Sequence, residues 1–173
     1  MSFRVSPSLT HYQVLPSQFL SSQGACYRSY KLVVGVLIFA DEKVLLLQGA
    51  ATEGHYPNIW ELPSGKVEPE DATALDAAAR ECLEETGLII TAFTGEGKTF
   101  EYGIDGRKTL QLNFKVEVRK EDEVTINPDE HQAYQWCAEK DIGEVGVTDA
   151  TLDVLKDAFS RLGTLRSQNV KRS

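Results

Sequence analysis

Four residues near the middle of the chain, Arg80, Glu81, Glu84 and Glu85, have the types and the spacing to do chemistry. Positions three and four apart on a helix share a face, so Glu81 projects beside both Glu84 and Glu85. Like charges held this close destabilise an isolated helix. A divalent cation reverses that cost, because hard cations such as Mg2+ take carboxylate oxygens. Arg80 has two acids four residues away, Asp76 and Glu84, with which it can pair. Taken alone, the cluster also reads as the solvated face of an amphipathic helix, with surface ion pairs worth under about 1 kcal/mol.

The element that must carry these residues is an Ala-rich helix. Leu75, Ala78, Ala79 and Cys82 form an apolar stripe opposite the glutamates. Thr86-Gly87 ends it, with Gly87 suited to the left-handed position after a helix. A strand end and a loop lead into it from Trp60, through Ser64-Gly65 and Pro69. Asp71 is expected to cap the helix N-terminus.

The stretch resembles the Nudix box, G-x5-E-x7-R-E-U-x-E-E-x-G-U, where U is a bulky apolar residue. Arg80-Glu81-Cys82-Leu83-Glu84-Glu85-Thr86-Gly87-Leu88 matches its second half at every fixed position, and Gly65 matches its opening glycine. Asp71 stands where the first Glu is expected, with Glu70 before it, and the segment from Asp71 to Arg80 is one residue longer than the pattern. An inserted residue inside a helix would rotate everything after it by about 100°. Because stripe and glutamates are in phase, the insertion is expected in the loop 66–72.

The resemblance implies metal-dependent hydrolysis of a diphosphate linked to another group, with Mg2+ or Mn2+ as cofactor. It carries Glu81, Glu84 and Glu85 onto metal-binding positions and the backbone carbonyl of Ser64 onto a further ligand. Arg80 maps onto the arginine that orients the cluster. A general base in this family comes from the helix or a later loop; Glu130 is the loop candidate, with Glu123 and Asp129 as alternatives. The box does not specify the linked group. A nucleoside-type substrate is the commoner class. Alternatives are a non-nucleotide diphosphate (isoprenoid or inositol pyrophosphate) and an inactive Nudix-fold binding module. Phe100, Tyr102 and Tyr134, and the loop residues His55 and Tyr56, are candidates for substrate contact, the aromatics by stacking; each also reads as core or loop surface.

Around this centre the chain alternates strands and helices. Tyr30–Ala40 is a β-branched run of the kind buried on both faces, and Lys43–Gln48 is its hairpin partner. Leu88–Phe93 starts another strand. Lys98–Ile104 and Lys108–Arg119 flank Asp105-Gly106, a turn dipeptide, and the second arm alternates apolar with polar residues. Ala133–Ala138 is a short strand, and Thr148–Leu162 is a closing helix with Gly163 as its stop. The order gives an α/β fold, an α/β/α sandwich around a mixed sheet, which is also the layout of a Nudix fold. Residues 30–163 are read as that domain, 1–29 as an irregular arm with a short strand near His11–Leu15, and 164–173 as a flexible tail.

A net charge of −8 argues against a general nucleic-acid binder, which needs a basic surface. It leaves room for a small anionic substrate, because a metal supplies local positive charge. Three scattered cysteines without CxxC spacing fit a reducing, cytoplasmic compartment. Residues 1–30 show no secretory pattern, and no stretch reaches the length of a membrane span. Monomer and homodimer are both compatible with the sequence. Gly97-Lys98-Thr99 lacks the upstream glycine of a phosphate-binding loop, and His11, His55 and His131 lack metal-ligand spacing.

Overall fold

The computed structural model describes residues 2–51, 57–104 and 106–170, with backbone alone for residue 104 and for 164–170. Its centre is β2 (Lys31–Ala40), the apolar run. A strand with hydrophobic residues at both odd and even positions must be covered on both faces. β2 pairs in parallel with β8 (Arg107–Val118), from Lys31 opposite Thr109 to Ile38 opposite Val116. It pairs antiparallel with β3 (Lys43–Gly49) at its far end and with β5 (Ser64–Lys66) at its start. β6 (Ile90–Glu96) and β7 (Phe100–Ile104) flank β8, while β4 (Trp60–Glu61) and β9 (His131–Ala138) flank β3. The result is a mixed sheet.

Alternation along the strands sorts side chains between two cores. Val34, Val36, Ile38, Leu45 and Leu47 point to one side, where they meet α2 (Ala74–Thr86). Leu37, Val44 and Leu46 point to the other and meet α3 (Asp149–Val170) through Val154, Leu155 and Phe159. This is the expected α/β/α sandwich.

The arm departs from expectation. No strand forms at His11–Leu15. Instead β1 (Arg4–Val5) adds in parallel to β6, a 3-10 turn runs over Pro7–Tyr12, and α1 covers Pro16–Gln23. Proline at the first helical position fits both starts, because its missing N–H is one that a helix start leaves unpaired anyway. Leu9, Tyr12, Phe19 and Leu20 are buried in the α2-side core, and Tyr12 meets Phe114 edge to face. The arm thus caps a sheet face that one helix alone does not cover.

Gly163 does not stop the closing helix, which continues to Val170. A single glycine costs a helix interior only about 1 kcal/mol. β7 and β8 pair as the expected hairpin, with Gly106 at φ 73°; Asp105 lies outside the described residues.

α2 is regular from Ala74 to Thr86, and Gly87 ends it at φ 70°, its N–H bonding back to Leu83. The extra residue therefore sits in the preceding loop, as expected, but Asp71 is not the cap. Thr73 is: its Oγ1 accepts from the backbone N–H of Asp76. Asp71 lies two residues further out and closes a turn by accepting from the N–H of Glu68. Thr73→Ala is expected to lower stability by about 1 kcal/mol in urea unfolding, with no helix rotation; no loss would reassign the cap.

Candidate active site

Helical spacing sets Glu81, Glu84 and Glu85 on the side of α2 that faces β5 and the start of β9. Their environments differ sharply. Glu84 is exposed, Glu81 is half-buried, and Glu85 is 5% exposed. Glu85 Oε2 accepts from the backbone N–H of Ser64 at 2.7 Å, and Oε1 lies 3.3 Å from His131 Nε2. Burial pushes the Glu85 carboxyl up to about 7, although His131 and the Ser64 N–H oppose it. Burial also raises the Glu81 carboxyl, against the pull of Arg80 and with the push of Glu84 and Glu130.

Arg80 pairs with Glu84, as its spacing allows, and takes further partners from the helix and the loop. Its guanidinium donates to Glu81 at 2.8 Å and Glu84 at 3.0 Å, and it forks onto both oxygens of Asp71 at 3.1 and 2.8 Å. A fourth acceptor is the carbonyl of Lys66. Asp76 is not among these partners; it bonds Thr73. Burial alone would raise the Asp71 carboxyl, but Arg80 and the Glu68 N–H hold it below its usual value. Asp71 therefore anchors the arginine and thereby the loop.

Gly65 is tied to this geometry sterically. A Cβ there would collide with the Glu81 carboxylate, so a larger residue would require that carboxylate to move.

Among the loop candidates for a base, Glu130 comes to the cluster. One ligand atom each from Glu85, Glu130 and His131 lie within 4.8 Å of one another, a spacing that could hold a metal ion. Glu123 and Asp129 are exposed, and neither belongs to that group. His131 is what spacing in the sequence could not reveal. It is 3% exposed, and neither ring nitrogen has a hydrogen-bond partner, so Nε2 meets Glu85 at ion-pair distance only. Burial lowers its pKa, but the Glu85 carboxylate outweighs that and raises it. Carboxylates crowded beside an orphaned imidazole fit a cation.

A cavity of about 630 Å³ opens beside the cluster. Ser64 and Gly65 line it and join it to Glu85 and Glu81. Phe100 and Tyr102 are in its wall, their ring centroids 5.7 Å apart. Lys31, Lys66 and Arg107 supply positive charge at its edge. Tyr134 is 45% exposed on β9 and is not among the lining residues. His55 and Tyr56 lie outside the described residues.

The family model described as NUDIX domain matches residues 29–158. The chain belongs to the NUDIX family. It is 31% identical to the CTP pyrophosphohydrolase of Escherichia coli K12 over 135 residues, 78% of this chain and 94% of that one. It is also 42% identical over 60 residues to an uncharacterized 17.7 kDa protein of Enterobacteria phage T4, a match covering 33% of this chain and 40% of that protein. The chain thus spans well under half of that phage relative. The solution structure of the E. coli ORF135 protein superimposes with a TM-score of 0.65 at 26% identity, covering 76% of this chain and 90% of that one. No described helix is long and apolar enough to cross a membrane.

A pH dependence follows for the metal-free protein. Folding raises the Glu85 pKa from 4.5 to about 7, so the folded protein holds that proton more tightly than the unfolded chain. The resulting stability is complete below about pH 4.5 and is lost as pH rises to about 7. His131, also raised, acts in the same direction above 6.5. Urea unfolding in EDTA should show wild type losing stability with rising pH relative to Glu85→Gln. A relative gain would contradict the burial of the Glu85 carboxyl.

Proposed function

We propose that this Nudix hydrolase cleaves, with Mg2+ or Mn2+, a phosphoanhydride bond in a nucleoside diphosphate linked to another group. The observation that carries the reading is the continuity of the acidic cluster with the aromatic-walled cavity, through Ser64 and Gly65. Glu81, Glu84 and Glu85 would hold the cation, with the Ser64 carbonyl as a further ligand by family resemblance. When bound, the cation supplies charge neutralisation to the diphosphate and a more acidic water.

The chain's own groups do the rest. Arg80 fixes the Glu81 and Glu84 carboxylates in place and keeps their mutual repulsion from splaying the helix face. Glu130, exposed at the cluster edge, takes the proton from the attacking water. Lys31, Lys66 and Arg107 draw the polyanion into the cavity of an otherwise acidic protein. Phe100 and Tyr102 offer π faces to a base. The name of the E. coli CTP pyrophosphohydrolase, similar over most of its length, supports a nucleotide substrate. Cys26, Cys82 and Cys137 are all free thiols, which supports action in a reducing cytoplasm.

The test is a panel of nucleoside triphosphates, nucleoside diphosphate sugars, dinucleoside polyphosphates and isoprenoid diphosphates, with products separated chromatographically. Turnover of at least one nucleotide is expected with Mg2+ or Mn2+ and not with EDTA. Glu85→Gln should keep its fold by circular dichroism and lose 100-fold or more in kcat, on the order of the loss when a transition-state stabilising group is removed. A fully active Glu85→Gln variant would overturn the site assignment.

A further inference from the structure

We propose that His131 is a nitrogen ligand of the cation held at Glu85, and that the site therefore takes a transition-metal ion such as Mn2+ or Co2+ in preference to Mg2+. The inference rests on the reading that the acidic face of α2 binds a divalent cation, and names the class of ion.

The imidazole is buried without a partner. His131 is 3% exposed, and neither Nδ1 nor Nε2 has a hydrogen-bond partner among the described residues. A buried polar group left in this state calls for an explanation, and a bound ion is one. Nε2 stands 3.3 Å from Glu85 Oε1. That is longer than a charge-assisted hydrogen bond, which spans about 2.7–2.9 Å. It is the separation of two neighbouring ligands on one ion. Bonds of about 2.1 Å set their ends roughly 3.0 Å apart at a right angle and roughly 3.4 Å apart at the tetrahedral angle. Glu130 brings a third ligand atom from the exposed side, within 4.8 Å of the other two.

The backbone holds the ring at this point. The Asn127 N–H donates to the Glu85 carbonyl, and the His131 N–H donates to the Asn127 carbonyl. The Ala50 N–H donates to the Glu130 carbonyl. The β3–β9 ladder shifts register between Gln48 and Gly49: Ala133 pairs with Gln48, and His131 pairs with Gly49. The extra residue on β9, Gln132, makes a bulge, a device that re-aims a side chain beside a site. Glu85 is fixed as well. Its Oε2 takes the Ser64 N–H, which leaves Oε1 for the ion, and ligand carboxylates are commonly held in this way.

Imidazole nitrogen suits transition ions, whereas Mg2+ favours oxygen ligands. Affinity at a mixed nitrogen and oxygen site rises from Mn2+ to Co2+ and beyond. A site of carboxylates alone would not separate these ions from Mg2+ as far.

The test is pulsed electron paramagnetic resonance of Mn2+ bound to the protein. A ligating imidazole adds a nitrogen modulation to the electron spin echo, and the modulation changes when histidine alone carries 15N. Wild type should show it, and His131→Gln should bind Mn2+ without it. In calorimetric titrations wild type should bind Co2+ more tightly than Mg2+ by at least about tenfold. His131→Gln should lose at least about tenfold in Co2+ affinity, the low end of the loss when even a residue supporting a ligand is changed. Its Mg2+ affinity should stay close to that of wild type, which also reports an intact acidic face. The wild-type readings decide the matter even where the variant does not fold. A wild-type echo free of histidine nitrogen, or equal wild-type affinities for Co2+ and Mg2+, would overturn the inference and leave the cation site standing. So would a nitrogen signal that survives in His131→Gln, or an equal loss of Co2+ and Mg2+ affinity there. Absence of saturable binding of Mn2+, Co2+ and Mg2+ to wild type would overturn the cation reading and this inference together.

Discussion

The site depends on one cation the chain itself provides. Arg80 lies among Asp71, Glu81 and Glu84 and also takes up the Lys66 carbonyl. Without it, the glutamates of one helix face and the aspartate of the loop would repel across a few ångströms. The pairing with Asp71 is bidentate and partly buried, which distinguishes it from the exposed ion pairs that contribute little. Because Asp71 and Lys66 belong to the loop and Glu81 and Glu84 to the helix, the guanidinium also fixes the loop on the helix. That fixed loop brings the Ser64 N–H onto Glu85 and sets Gly65 directly against the Glu81 carboxylate.

The sheet divides its labour along the same lines. Its α2-side face buries the helix that carries the acids, and the arm completes that core. The strands β2, β5, β7 and β8 bring Val33, Ser64, Phe100 and Gln111 to one cavity beside it. Cavity and acidic cluster thus share the β5 backbone.

The helix and its acids were legible because their signals are local. The stripe of Leu75, Ala78, Ala79 and Cys82 fixes the phase, and Gly87 fixes the end. β2 was legible because a run apolar at every position has few other uses. What escaped is non-local or weakly signalled. Asp71 reads as a cap by proximity, yet Thr73 is better placed and Arg80 claims the aspartate across nine residues. Pro7 and Pro16 open helical turns in the arm, where composition suggested irregular chain. Gly163 reads as a stop, but a helix with flanking good formers tolerates one glycine. His131 has no local motif; only the loop before β9, hydrogen-bonded to the end of α2 through Thr125 and Asn127, sets it beside Glu85.

The Glu81, Glu84 and Glu85 face is proposed as the place where a divalent cation binds. Paramagnetic broadening by substoichiometric Mn2+ in the amide spectrum of the labelled protein tests it most directly, because the effect falls steeply with distance from the ion. Loss of the Ser64, Gly65, Glu81, Glu85 and Glu130 signals first, reversed by excess Mg2+, is the expected result. Broadening centred on the exposed acids Glu121 and Glu123, or spread evenly over the acidic surface, would contradict it.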